Sequence, residues 1–145
     1  MTKVWVSPLQ VDVVHGIARG LTDTGIAEAL GRPEDTVASA VRSMRGKLGA
    51  VNRIHLVAVA WRIGLLTADG PVRVPELTPR QVRVLATAAD GASCKETARE
   101  WFVDPSTVRN YRRAANRRLG AKYTAHAVHL AHAAGILPAS RTEAT

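Results

Sequence analysis

Five arginines crowd into one ten-residue stretch of the second half of the chain, with no acidic side chain among them. They are Arg109, Arg112, Arg113, Arg117 and Arg118. Guanidinium groups repel one another on a bare surface, and a polyanion relieves this repulsion when its counterions are released. Arginine also holds guanine O6 and N7 in a bidentate fork, and Asn110 in the same stretch suits adenine. The stretch favours nucleic-acid binding, and the alternative is a solvated basic face.

The composition of the whole chain agrees with an anionic partner. The 145 residues include 20 Lys and Arg against 12 Asp and Glu, and the net charge of +8 favours nucleic acid or an anionic membrane surface. No segment approaches the roughly 18 apolar residues of a spanning helix, so we expect no membrane insertion. The single cysteine, Cys94, excludes a disulfide within the chain and suits a cytoplasmic, nucleoid-associated protein.

The sequence offers no residues for catalysis, a cofactor or a metal ion. We find neither a Ser/His/Asp set nor a phosphate-binding glycine loop, and we therefore predict that the protein is not an enzyme. His126, His129 and His132 recur at intervals of three, but this spacing drifts around a helix and no fourth ligand is apparent. We assign His126 and His129 to a helix interface instead.

An internal repeat sets the organisation of the chain. A shift of 71 residues aligns residues 7–66 with residues 78–137 without a gap, and 18 of the 60 positions are identical. The shared glycines, prolines and Thr-Val pairs fall in one register, which a common Ala/Val/Arg-rich composition does not explain. Residues 7–66 are called the first repeat below, and residues 78–137 the second repeat.

Each repeat shows the start and stop signals of four short helices. Ser7-Pro8-Leu9-Gln10 and its counterpart at residues 78–81 predict a capping box with proline at the first helical position. Glycines close the first, third and fourth helices, and the third is predicted over 34–48 and 105–119. The second and third helices form a helix-turn-helix, so the fold class is all-α with two tandem four-helix domains.

The residues resemble a known family at this point. The pattern Gly-x-[Ser/Thr]-x-x-x-x-Ala, then eight residues, Thr-Val, ten residues and Leu-Gly-Ala runs over 20–50 and again over 91–121. It resembles the LuxR/GerE-type DNA-binding domain of bacterial regulators, whose third helix reads the major groove and whose fourth often mediates dimerisation. We therefore predict LuxR C-terminal-like domains over 1–66 and 76–138, a linker over 67–75 and a flexible tail over 139–145.

The resemblance also implies roles for individual residues. Base-facing positions follow each Thr-Val pair and are occupied by Ala38, Ser39, Arg42, Arg109, Asn110 and Arg113. Positions that tend to touch the phosphate backbone are occupied by Thr36, Lys47, Lys95, Thr107 and Arg118. We add the remaining cations of the two third helices, which are Arg45, Arg112 and Arg117.

The fourth helix of the first repeat is apolar on more than one face, which predicts a partner beyond its own small core. The residues that we assign to this interface are Leu56, Val59, Trp61, Ile63, His126 and His129. The partner is either the fourth helix of the second repeat, in an intramolecular pseudo-dimer, or a second chain in a homodimer. The alternative is burial of the helix within its own domain.

The first repeat is the poorer match to a DNA reader. Ala38 and Ser39 stand where the second repeat has Arg109 and Asn110, and Glu34 begins the reading helix with negative charge. In the second repeat, Trp101-Phe102 replaces Leu30-Gly31, which suggests a different turn geometry.

We predict a sequence-specific regulator of transcription that binds double-stranded DNA, chiefly through the second repeat, and has no sensor domain of its own. Two alternatives remain. One is an adaptor that binds RNA polymerase or another regulator through the same scaffold. The other is an architectural or maintenance DNA binder with little sequence preference.

Overall fold

The computed structural model describes residues 5–68, 70 and 72–137, and these form eight α-helices and no strand. The predicted all-α class is confirmed. The helices are α1 (Pro8–Ala18), α2 (Asp23–Leu30), α3 (Glu34–Leu48), α4 (Arg53–Arg62), α5 (Pro79–Ala89), α6 (Cys94–Trp101), α7 (Pro105–Leu119) and α8 (Thr124–Ala133). In this part of the chain, no helix is long and apolar enough to cross a membrane.

Local hydrogen bonds begin these helices where the sequence predicts. The side chains of Ser7, Thr78 and Ser93 each accept from a backbone N–H three residues on, and each forms a complete capping box. Capping of this kind satisfies backbone donors that have no partner inside the helix. Gly49 and Gly120 end α3 and α7 in the left-handed conformation, which glycine adopts at low cost.

The two repeats have matching helices that pack against each other. Corresponding helices have equal lengths, and α4 packs against α8 while α1 contacts α8 and α4 contacts α5. The close contacts are reciprocal as well, because His126 lies against Gly20 and His55 lies against Gly91. The repeats are therefore related by an approximate two-fold rotation, and their buried side chains form one continuous core.

The first repeat has the larger apolar core. Where it buries Ile26, Val41 and Met44, the second repeat has Thr97, Arg112 and Ala115. The Thr97 hydroxyl and Arg112 Nε are buried, and neither has a hydrogen-bonding partner among the described residues. A buried polar group without a partner costs about 1–3 kcal/mol. We therefore expect the second repeat to depend more on its contact with α4 than the first depends on its contact with α8.

Irregular backbone connects the two repeats. The described residues between Leu66 and Thr78 form neither helix nor strand, and Leu77 is buried against the core. The linker predicted over 67–75 falls in this segment, except that residues 69 and 71 lie outside the described part. The tail predicted over 139–145 also lies outside the described residues.

The turn between α6 and α7 has the same geometry as its counterpart, and the expectation of a different turn was wrong. Phe102 has φ 57° and ψ 44°, close to the φ 64° and ψ 38° of Gly31. Hydrogen bonding to the preceding helix imposes this conformation on both, since Val103 N–H and Arg32 N–H bind equivalent carbonyls at 3.0 Å. Phe102 is therefore a non-glycine residue in the left-handed region, and 94% of its surface is exposed.

Replacing Phe102 by glycine is expected to stabilise the protein by about 1 kcal/mol, because the left-handed region disfavours a Cβ by roughly 1–2 kcal/mol. The ring makes little contact that could be lost, given its exposure. Gly31→Ala is the reverse change at the equivalent position and serves as the control. It should destabilise the protein by a similar amount, because a Cβ there meets no atom within 4 Å and only the left-handed backbone conformation is unfavourable. Urea unfolding measures both, and a destabilised Phe102→Gly variant would contradict the assignment.

Candidate nucleic-acid interface

The candidate reading helix α7 is fixed at its start by the turn that precedes it. Asp104 caps the helix, since its carboxylate accepts from the backbone N–H of Ser106 at 2.9 Å and from the Ser106 hydroxyl at 2.7 Å. These hydrogen bonds lower the pKa of Asp104, so the cap is ionised at neutral pH. Pro105 occupies the first helical position, where its missing N–H is no loss. The N-terminal turn of α7 is thus held by side chains within the helix-turn-helix itself.

Helical periodicity separates α7 into a buried stripe and a basic one. Val108, Ala115 and Leu119 are buried and pack α7 onto the core. Arg109, Arg113 and Arg117 recur at intervals of four on the opposite side and are exposed, as is Asn110 beside them. These four residues are called the arginine face below. Arg113 donates to the Asn110 amide oxygen at 3.3 Å, so the two side chains that suit base edges lie next to each other.

The other two arginines of the stretch are bound to the protein itself. Arg112 is half-buried and donates through Nη2 to the carbonyl of Ala92 at 2.8 Å. Arg118 is exposed and donates through Nε to the carbonyl of Glu76 at 3.1 Å, which ties α7 to the connecting segment. Arg112, predicted from its place in the third helix to contact DNA, is therefore not part of the arginine face. Its inward turn carries no sequence signal, because arginine is normally exposed.

The equivalent face of α3 in the first repeat carries much less positive charge. Arg42 is exposed and donates to the Ser39 hydroxyl at 3.2 Å, which repeats the contact between Arg113 and Asn110. Ala38 is half-buried and small, and Gly46 stands in the position of Arg117. One guanidinium group thus replaces three.

The residues predicted to contact phosphate fall into two groups. Lys95 is exposed near the start of α6, and Thr107 and Thr36 are half-buried in the first turns of α7 and α3. Lys47 donates to the Gln10 amide oxygen at 3.1 Å and lies 5.1 Å from the centre of the Trp5 ring. Arg45 donates to the carbonyls of residues 50 and 51 that follow α3. Lys95 is fully open to a ligand and the two threonines are partly so, whereas Lys47 and Arg45 have internal partners.

Part of the second half of the chain matches a known protein family. Residues 75–131 match the model of the luxR family of bacterial regulatory proteins. These residues contain α5, α6, α7 and most of α8. They are one LuxR-type helix-turn-helix domain.

One curated relative supports the same family. The chain is 43% identical over 60 residues to the transcriptional regulatory protein YdfI of Bacillus subtilis (strain 168). The aligned segment is 41% of this chain and spans 28% of the relative's length. No solved structure matches the chain significantly. That the first repeat is a second LuxR-type domain stays a prediction.

The last helix of the LuxR-type domain contacts α4 through a cluster of rings. Trp61 donates through Nε1 to His129 Nδ1 at 2.9 Å, and the Trp61 and His132 rings are stacked with centroids 5.6 Å apart. Leu56 and Val59 are buried, whereas Ile63 leaves 51% of its surface exposed. Trp61 and His129 therefore meet in this contact, and Ile63 does not take part in the ring cluster.

His132 is the interface residue that the assignment from sequence missed. It occupies the position of Trp61 in the other repeat, so the approximate two-fold rotation brings the two side chains together. Only the repeat register combined with a fourth-helix contact could have found it. Both His132 ring nitrogens are buried, and burial lowers the pKa of His132 to about 4, although its backbone interaction with Leu137 acts in the opposite direction.

Stability is expected to fall when the pH drops from 7 to 5, by about 2 kcal/mol from His132 alone. The folded pKa of about 4 lies below the ordinary value of 6.5. The unfolded chain therefore binds more protons between these values, and stability is fully present above pH 6.5 and declines toward pH 4. Urea unfolding at both pH values measures the change. A His132→Phe variant should lose this component, and an unchanged pH dependence in that variant would contradict the assignment.

Proposed function

We propose that this protein is a sequence-specific, double-stranded DNA-binding regulator of transcription, and that α7 enters the major groove. Arg109, Asn110 and Arg113 read base edges, and Arg117, Lys95 and Thr107 hold phosphates. The observation that carries the proposal is the arginine face, since it follows directly after the turn of the LuxR-type domain and is opposite the buried stripe. A helix in this place presents its N-terminal half to base edges.

The chemistry of the arginine face favours DNA over the other partners that the sequence left open. The helix α7 contains no acidic residue, and of its arginines the Asp104 carboxylate at the N-cap interacts with Arg109 only, so three exposed guanidinium groups at intervals of four favour an external anion. Phosphate contacts alone provide affinity without sequence preference. Asn110, with an exposed amide beside Arg113, adds a group that distinguishes adenine, and this favours a regulator over an architectural binder.

The second repeat is the chief reader in this proposal, and the first repeat supports it. The acids Glu34 and Asp35 are exposed in the first turn of α3, where they oppose a phosphate backbone. The packing of α4 on α8 supports an intramolecular pseudo-dimer in which α3 makes weaker contacts beside the site of α7. A pseudo-dimer of this kind predicts one chain for each operator and unequal half-sites.

The test is a selection from a random duplex library at near-physiological salt with the full chain. We expect a defined motif whose strongest positions occupy one half-site, bound about 10³-fold or more above bulk DNA. Recovery of DNA without a motif would replace the proposal with architectural binding. Recovery of no DNA would replace it with a protein-binding adaptor.

A further inference from the structure

A cavity of about 600 Å³ lies where the two repeats meet, between the α1–α2 turn and the beginning of α8. Its apolar wall includes Ile17 and Leu21 of the first repeat and Ala125 of the second. Ile17 and Ala125 are buried in the core, so the floor of the cavity is held in place. The volume falls in the range of roughly 300–1,000 Å³ that small-molecule sites occupy. None of the residues that line it belongs to the arginine face.

Tyr123 forms one side of the cavity at the expense of its own helix. It stands at the N-cap of α8, where it makes no capping hydrogen bond. Its counterpart Asn52 caps α4, with its amide oxygen accepting from the His55 N–H at 2.8 Å. An aromatic ring that replaces a capping side chain weakens a helix start. Residues that are poor for the local fold tend to occur at functional sites, and here the half-exposed ring borders a cavity.

The charges at the rim neutralise each other. Arg53 donates through its two terminal nitrogens to the two carboxylate oxygens of Asp23, at 2.6 and 2.8 Å. An added anion would have to displace Asp23, and an added cation would have to displace Arg53. The hydroxyl groups of Thr22 and Thr124 lie in the same lining. Each oxygen accepts from the protein, at 3.1 and 3.2 Å, and each O–H remains to donate to a ligand. The electrostatics of the rim therefore suit a neutral molecule.

We propose that this cavity binds a neutral, mainly apolar small molecule that contains an aromatic ring and one or two hydrogen-bonding groups. The ring packs on Tyr123 and the apolar wall, and the polar groups meet the threonine hydroxyls. The ligand contacts both repeats and so holds the α1–α2 turn against α8. The site requires no DNA, and its existence is independent of the proposed regulation of transcription.

Two fluorescent probes with one shared skeleton test the class of ligand. N-phenylnaphthylamine is neutral and apolar with one N–H donor, and anilinonaphthalene sulfonate adds a negative charge to the same rings. We expect saturable binding of the neutral probe with one site in each chain, and weaker binding of the sulfonate. Absence of saturable binding by the neutral probe would overturn the proposal. Tighter binding of the sulfonate that depends on Tyr123 would overturn the neutral class.

Tyr123→Asn separates binding from folding. This change places at the start of α8 the residue type that caps α4, so thermal stability should remain or rise. Loss of the tyrosine ring should lower the affinity for the neutral probe by about tenfold. The matched control is Ile63→Asn, which removes a similarly exposed apolar side chain at the far end of α4 and should leave probe binding unchanged. Equal affinity in Tyr123→Asn and wild type would show that the probe binds elsewhere and would overturn the proposal.

Discussion

Replacing Arg109 and Arg113 by alanine is expected to reduce affinity for the selected DNA motif by about 10²-fold or more, because each bidentate contact to guanine is worth roughly 1–3 kcal/mol. Both side chains are exposed on α7, so their removal should leave thermal unfolding unchanged. Affinity for unrelated duplex DNA should fall much less, since the remaining cations still bind phosphate. Titration of labelled motif and unrelated duplexes at fixed salt measures both effects.

The matched control for this experiment comes from the repeat itself. Arg42 stands at the position of Arg113, is also exposed and likewise donates to the side chain three residues back along its helix. We expect Arg42→Ala to lower the affinity for the motif by only a few-fold, because α3 lacks the other two arginines of the face. Equal losses for Arg42→Ala and Arg113→Ala would contradict the assignment of the second repeat as chief reader.

Replacing Trp61 by alanine is expected to destabilise the folded protein by about 2–3 kcal/mol, somewhat less than a fully buried tryptophan, which costs about 3–5 kcal/mol. The change removes the hydrogen bond to His129 and the ring that stacks on His132, and it leaves a gap between α4 and α8. Urea unfolding measures the free energy of unfolding, and Ile63→Ala is the control on the same helix. That variant should stay within about 0.5 kcal/mol of wild type, because Ile63 is half exposed.

Amide hydrogen exchange shows which repeat the Trp61→Ala change destabilises. The second repeat has the poorer core, with buried Thr97 and Arg112 Nε lacking partners in the described part of the chain. We therefore expect faster exchange in α5–α8 of the Trp61→Ala variant, with α1–α3 affected less. Uniform acceleration, or a larger effect in the first repeat, would contradict the view that the second repeat depends on the first.

The two repeats share a sequence pattern, but they differ in the size of their core side chains and in the charge of their third helices. The first repeat has the larger apolar side chains and few cations on its α3 face, and the second has the arginine face and a core rich in alanine. Removing bulk and adding charge both cost stability in an isolated domain of this size. We expect the packing of α8 on α4 to offset that cost and so to permit three arginines on one exposed stripe of α7.

The sequence alone determined the helices and the main buried and exposed stripes of α3 and α7. Capping boxes, glycine stops and the 3.6-residue period are local signals, so the bounds of α3 and α7 and the exposure of Arg109, Asn110 and Arg113 followed from neighbouring residues. The repeat register added the correspondence between helices. These properties depend on hydrogen bonds and side-chain directions within a few residues along the chain, and for that reason they can be derived without knowledge of the fold.

Only the tertiary structure decided the contacts between distant residues. The inward turn of Arg112 and the stack of Trp61 on His132 depend on which helices meet and at what angle. Arginine and histidine side chains suit water as well as a protein surface, so their type does not tell which they contact. The cavity beside Tyr123 is lined by residues of both repeats, so it forms only when both are in place.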